Sequence, residues 1–154
     1  MTNSLVCVDA NLTIKLVLYE HDSGLARALW ETWRIQETKV IAPTLWAYEI
    51  TSVIRKQVYR GLLDPSVEID TFDAIHQLPV LLMRPAGLHQ RASELARYFN
   101  RPVAYDAHYL ALAEISDCPF WTADKRLFNA VREELGWVNW LGNYQADAPE
   151  VKQK

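Results

Sequence analysis

The chain has 154 residues, half of them apolar or aromatic, with 16 basic and 19 acidic side chains and a formal net charge of −3. That length fits one domain with an ordinary core, and the apolar share is too high for a disordered chain. The mild acidity excludes a non-specific nucleic-acid coat protein, which would carry a basic excess, but not an enzyme that holds nucleic acid locally around bound metal ions.

The opening MTNSLVCVDAN has no basic n-region and no cleavage site, so no signal peptide is expected. Lys15 and Glu20 interrupt the most hydrophobic N-terminal stretch, and no apolar run reaches the length of a membrane span. Leu5–Val8 is a short β-branched run, a first and central strand, ending abruptly at Asp9-Ala10-Asn11. Leu12 to Leu18 is expected to be helical. Asp22 and Ser23 are placed to cap a second helix running to about Gln36, with Leu25, Leu29, Trp30 and Trp33 at helical spacing. Lys39–Ala42 is a compact second strand.

Pro43-Thr44 opens a long helix from Thr44 to about Arg60, with Gly61 as its C-cap. Asp64-Pro65 starts another, Asp at the N-cap and Pro at the first helical position, and it ends before Pro79. Val80–Met83 is a third strand, and 87–99 a helix closed by Asn100. Between Pro102 and Pro119 the run of Ala104, Ala107, Leu110, Ala111 and Ala113 predicts a helix. Pro119–Thr122 is a fourth strand, ending in the small polar turn Thr122-Ala123-Asp124. A helix from Lys125 to Leu135 capped by Gly136, and a strand Trp137–Leu141, complete the pattern. Five short strands separated by one or two helices predict a doubly wound α/β domain with a mainly parallel sheet. Strand order is not readable from pattern.

In such a sheet the strand C-terminal ends and helix starts share one rim, where open α/β folds bind ligands. Asp9 follows strand 1 and Asp124 follows strand 4, so both sit there. Asp106 opens a helix that no strand immediately precedes. Glu49 lies in the second turn of the helix after strand 2, among Leu45, Trp46, Ile50, Val53 and Ile54, where unpaired burial is costly. Two carboxylates about 4 Å apart repel by roughly 4 kcal/mol at an effective dielectric near 20. Three or four together need a cation: either Lys15, Lys125 or Arg126 in a structural ion-pair network, or a divalent Mg²⁺ or Mn²⁺ with its preference for oxygen ligands. The pattern leaves the two equally open.

Four blocks carry a resemblance: VCVDAN at the first strand with Lys15 and Glu20 after it, APTLWAYEITSVIRK around Glu49, YDAHYLALAE around Asp106, and TADKRLFNA around Asp124. In this order, spanning strand 1 to the last helix, they resemble the PIN-domain family, and within it the VapC-type toxin ribonucleases of toxin–antitoxin pairs. The resemblance implies a PIN-like three-layer α/β/α domain over 1–141, with a mainly parallel, roughly five-stranded sheet, while the polar run over 142–154 reads as a flexible tail. It implies a metal-dependent endoribonuclease, cytoplasmic, dimeric, and bound by a cognate small antitoxin. Asp9, Glu49, Asp106 and Asp124 match the family's acidic quartet. By that analogy Asp9, Asp106 and Asp124 hold one or two Mg²⁺ or Mn²⁺ ions, and Glu49 completes a second metal position or orients the attacking water. Asn11 and Thr122 resemble the family's small polar positions that hydrogen-bond the carboxylates, although turn or cap residues would look the same. Lys15 either approaches the scissile phosphate or solvates a helix face.

His108 is two residues after Asp106, about 200° around a helix, so it is expected to point away from the acid. His21, His76 and His89 form no zinc spacing, and no Walker loop or GxGxxG occurs. Cys7 and Cys118 fall in predicted buried strands and read as reduced core thiols of a cytoplasmic protein. Other classes were weighed. A phospho-receiver would need an Asp ending strand 3 and a Lys after strand 5, where the chain has Met83-Arg84-Pro85 and Leu141-Gly142-Asn143. A PIN-like nuclease of RNA processing or DNA flaps, and an inactive protein-binding scaffold, remain as alternatives within the same fold.

Overall fold

A computed structural model describes residues 4–145. Its elements in chain order are β1 (Leu5–Val8), α1 (Ala10–Thr13), α2 (Ser23–Ile35), β2 (Lys39–Pro43), α3 (Leu45–Tyr59), α4 (Glu68–His76), β3 (Val80–Met83), α5 (Leu88–Tyr98), α6 (Tyr105–Ile115), β4 (Phe120–Thr122), α7 (Lys125–Val131) and β5 (Val138–Trp140). The five strands form one sheet in the order β3-β2-β1-β4-β5, and every pairing is parallel. Parallel strands covered on both faces should be apolar throughout. β1 obeys, with Val6, Cys7 and Val8 all buried.

Alternate residues face two different packing layers, as a period of two requires. Cys7, Ile41 and Phe120 join the larger core with Ile50 and Ile54 of α3, Ile75 of α4, Leu95 of α5 and Leu112 of α6. Val6, Val8 and Val40 face the other way, onto Ala26, Leu29 and Trp33 of α2. Those two interlayers make the three-layer α/β/α architecture.

Several local expectations shift. The helix foreseen over Leu12 to Leu18 is a single α-turn, Ala10–Thr13, followed by a 3₁₀ turn, Ile14–Leu16. Asp22 does not cap α2 with its side chain. It turns to Lys15 instead, while Ser23 Oγ accepts from the Glu20 N–H at 2.9 Å. The last helix stops at Val131 rather than Leu135, and Gly136 is not among the positive-φ glycines, so it is no left-handed cap. Gly61 is one, at φ +72: the Leu62 N–H bonds the Gln57 carbonyl and the Gly61 N–H the Val58 carbonyl, closing α3 in a Schellman motif. Where a polar tail was expected from Gly142, Leu141–Asn143 form a 3₁₀ turn and the Tyr144 hydroxyl sits 2.7 Å from Thr32 Oγ1 of α2. From residue 146 the expected tail lies outside the described residues. No helix among the described residues is long and apolar enough to cross a membrane.

The topology fixes where a site can be. The chain leaves β1 for β2 on one side and returns, through α5 and α6, to β4 on the other. β1 and β4 are therefore neighbours at the point where strand order reverses, the position at which doubly wound sheets open a crevice beyond the strand ends.

Candidate active site

Asp9 is the first residue past β1 and sits over that crevice, only 4 % exposed. It is also the N-cap of α1. Its Oδ1 accepts from the Asn11 N–H at 3.3 Å, and its Oδ2 from the Thr122 hydroxyl at 3.0 Å. Thr122, the last residue of β4 and fully buried, is the hub of the crevice, because its Oγ1 also accepts from the Asp124 N–H at 3.0 Å and from Asn11 Nδ2 at 3.3 Å. The Asn11 side-chain oxygen, Oδ1, accepts from the Ala123 N–H at 3.0 Å. Asn11 and Thr122, expected to hold the carboxylates, thus stitch the end of β1 to the end of β4. Asp124 caps α7, accepting from the N–H groups of Arg126 at 2.9 Å and Leu127 at 3.2 Å, both on Oδ1.

Asp106 reaches the same rim because α6 packs across β1, β2 and β4 and presents its first turn there. Its Oδ2 lies 3.4 Å from an Arg101 guanidinium nitrogen. Glu49 projects from the second turn of α3, half-buried, and its Oε1 accepts from the Tyr109 hydroxyl at 2.8 Å.

These acids act on one another. Burial, and then the charges of Glu49 and Asp106, push the Asp9 carboxyl from 3.8 up to about 8, against the hydrogen bonds from Thr122 and Asn11 that favour its ionised form. Burial also raises Glu49, which the Tyr109 hydroxyl lowers and the Asp106 charge raises again. Asp106 is raised by burial and by Asp124, with the Arg101 charge opposing. All four acids belong to one electrostatic cluster, in which Arg101 is the cation paired with a member.

Three contributors escape a reading of the sequence. Tyr109 lies three residues after Asp106, on the same helix face, a spacing that could have flagged it. Trp46 lies three before Glu49, and its indole N–H donates at 3.2 Å to Thr13 Oγ1, which in turn donates to the Asp9 carbonyl at 3.1 Å. Arg101 sits in the connection before α6, where periodicity has nothing to say. His108 behaves as expected: its ring faces α5, with Nε2 2.9 Å from His89 Nδ1, and takes no part in the crevice.

Lys15 does not join the acids of the rim. Lys15 is 8 % exposed, and its ammonium lies 2.6 Å from Glu20 and 2.8 Å from Asp22. Burial would lower its pKa, but the hydrogen bonds and charges of Asp22 and Glu20 outweigh that and raise it. The sequence left Lys15 either near a phosphate or solvating a helix face; in the structure its ammonium is engaged by Glu20 and Asp22.

The donor set suits a hard divalent cation: carboxylates at the strand and helix ends, amide and hydroxyl groups behind them, and no sulfur or imidazole. Among the described residues no three His, Cys, Asp or Glu side chains close into a cage. Mg²⁺ does not require one, since it keeps several waters and takes one or two carboxylates directly. The raised Asp9 carboxyl is a second sign of fit, because a cation at the crevice would remove the cost of ionising it.

The PIN domain family model matches residues 6–134. A VapC ribonuclease of Mycobacterium bovis and ribonuclease VapC9 of Mycobacterium tuberculosis are each 31% identical over 123 residues, covering 80% of this chain and 88% of the relative.

Proposed function

This chain belongs to the PIN-domain family, and from that premise we propose that it is a metal-dependent endoribonuclease, the toxin of a toxin–antitoxin pair. The observation that carries the reading is four acids, Asp9, Glu49, Asp106 and Asp124, gathered at the strand-order reversal with more like charge than Arg101 can offset.

Asp9, Asp106 and Asp124 would hold one or two Mg²⁺ or Mn²⁺ ions, directly or through water. When bound, such an ion supplies a nucleophilic water at neutral pH and offsets charge developing on the phosphoryl oxygens. Thr122 and Asn11 keep the Asp9 carboxylate aimed by hydrogen bonds to both of its oxygens and to the strand beside it. Glu49 completes a second metal position or orients the attacking water. With water as nucleophile, the products carry 5′-phosphate and 3′-hydroxyl ends.

A cognate antitoxin and a second copy of the chain are the expected partners. Exposed apolar side chains at the end of α3, in the turn after it and in α4, among them Tyr59, Leu62 and Ile69, supply surface for such contacts. The direct test incubates the purified chain with RNA beside its Asp9→Asn and Asp106→Asn variants. The expected result is cleavage by wild type alone, abolished by a chelator and restored by Mn²⁺. Equal cleavage by all three would point to a contaminant and overturn the reading.

A further inference from the structure

Within this reading, on which the inference rests, Glu49 has an unusual tether. Nothing on its own helix holds it: α3 offers it an apolar flank, and a half-buried glutamate on a flexible stem samples several rotamers. Its one hydrogen-bond donor comes from α6. The Tyr109 hydroxyl donates to Oε1 at 2.8 Å and leaves Oε2 free of that bond. Tyr109 itself is 1 % exposed. Its ring packs against Phe120 of β4, centroids 5.9 Å apart, and its backbone carbonyl accepts from the Cys7 thiol of β1 at 3.7 Å. A hydroxyl on such a locked stem has little freedom, so the carboxylate it holds has little as well.

The same helix carries Asp106, one turn earlier on the same face. Helix α6 therefore contributes one acid directly and fixes the position of another from the neighbouring helix. We propose that Tyr109 is a positioning residue that holds Glu49 at a set reach from Asp106, so that both can share a divalent cation. A buried tyrosine needs an acceptor for its hydroxyl in any case. Here the acceptor is a rim carboxylate rather than a core carbonyl, which ties the core to the chemistry.

The proposal is tested by titrating Mn²⁺ calorimetrically into the full chain and into Tyr109→Phe, Glu49→Gln and the double variant. Tyr109→Phe keeps the ring and removes only the hydroxyl. It should weaken Mn²⁺ binding about 10-fold, the size expected when the group orienting a ligand is lost. Since Tyr109 acts through Glu49, the double variant should bind no more weakly than Glu49→Gln alone. Leu29→Ala, in the other packing layer beneath α2, serves as the stability control: it opens a cavity away from Tyr109, lowers the melting temperature and should leave Mn²⁺ affinity within about twofold. Tyr109→Phe binding like wild type, additive losses in the double variant, or Leu29→Ala weakening binding as much as Tyr109→Phe would each overturn the assignment alone. A wild-type chain that binds no Mn²⁺ at millimolar metal would overturn the metal-site reading together with it.

Discussion

Two part-buried clusters of charge solve the same problem in opposite ways. Around Lys15, one ammonium sits between Glu20 and Asp22 at 2.6 and 2.8 Å, and the cluster carries its own counter-ion. At the β1/β4 crevice four acids share one rim, and the cation paired there is the part-exposed Arg101, 3.4 Å from Asp106. Buried carboxylates must be neutralised by a cation, by hydrogen bonds or by a proton. The first cluster uses a resident lysine and is complete. The second relies on hydrogen bonds from Thr122, Asn11 and Tyr109 and on raised pKa values, and among the described residues Arg101 is the cation paired with it.

The comparison breaks most sharply under substitution. Asp9→Asn should lower RNA cleavage at least about 100-fold by removing a metal ligand. In metal-free urea unfolding at alkaline pH the same variant should be no less stable than wild type, because a costly buried charge has gone. Lys15→Met should do the reverse, costing about 2 kcal/mol in urea unfolding, since it strands Glu20 and Asp22; the half-exposure of Glu20 keeps the loss below that of a fully buried pair. Its Mn²⁺ affinity should stay within about twofold of wild type. Stability losses of the same sign and size in both variants would erase the distinction.

pH sharpens it further. Asp9 keeps its proton in the folded chain up to about pH 8 and releases it near 3.8 when unfolded. Between those values the unfolded state binds fewer protons, so stability falls as pH rises. The metal-free melting temperature should drop by at least about 5 °C between about pH 5 and about pH 8.5, and millimolar Mn²⁺ should reverse the drop. The smallest effect belongs to Arg101→Gln. The pair is part-exposed, so unfolding should shift by at most about 0.5 kcal/mol, while the Asp106 carboxyl, read by its carbon chemical shift, titrates higher than in wild type.

Much of this was legible in the sequence because it is written in local patterns. Continuous apolar runs marked β1 to β5 to within a residue or two, and acids immediately after β1 and β4 had to lie on one rim once the sheet was parallel. The gap lay in what depends on distant partners. Asp106 follows no strand, and only the packing of α6 across the sheet brings its first turn to the crevice. Lys15 looked available because its partners Glu20 and Asp22 sit beyond an irregular turn whose course periodicity does not describe. Asp22 looked like a helix cap for the same reason: a buried ammonium outbid a free N–H. The fold-back of Tyr144 onto Thr32 likewise follows from a tertiary contact.

Under the proposed function the crevice acids, paired among the described residues with Arg101, take a divalent cation. Calorimetric titration of Mn²⁺ into the purified chain near pH 7, in two buffers of different ionisation enthalpy, tests it directly. The account predicts binding of one or two ions with release of about one proton, as Asp9 ionises on contact with the metal. Absence of binding at millimolar Mn²⁺, or binding with no proton release that persists in Asp9→Asn, would contradict it.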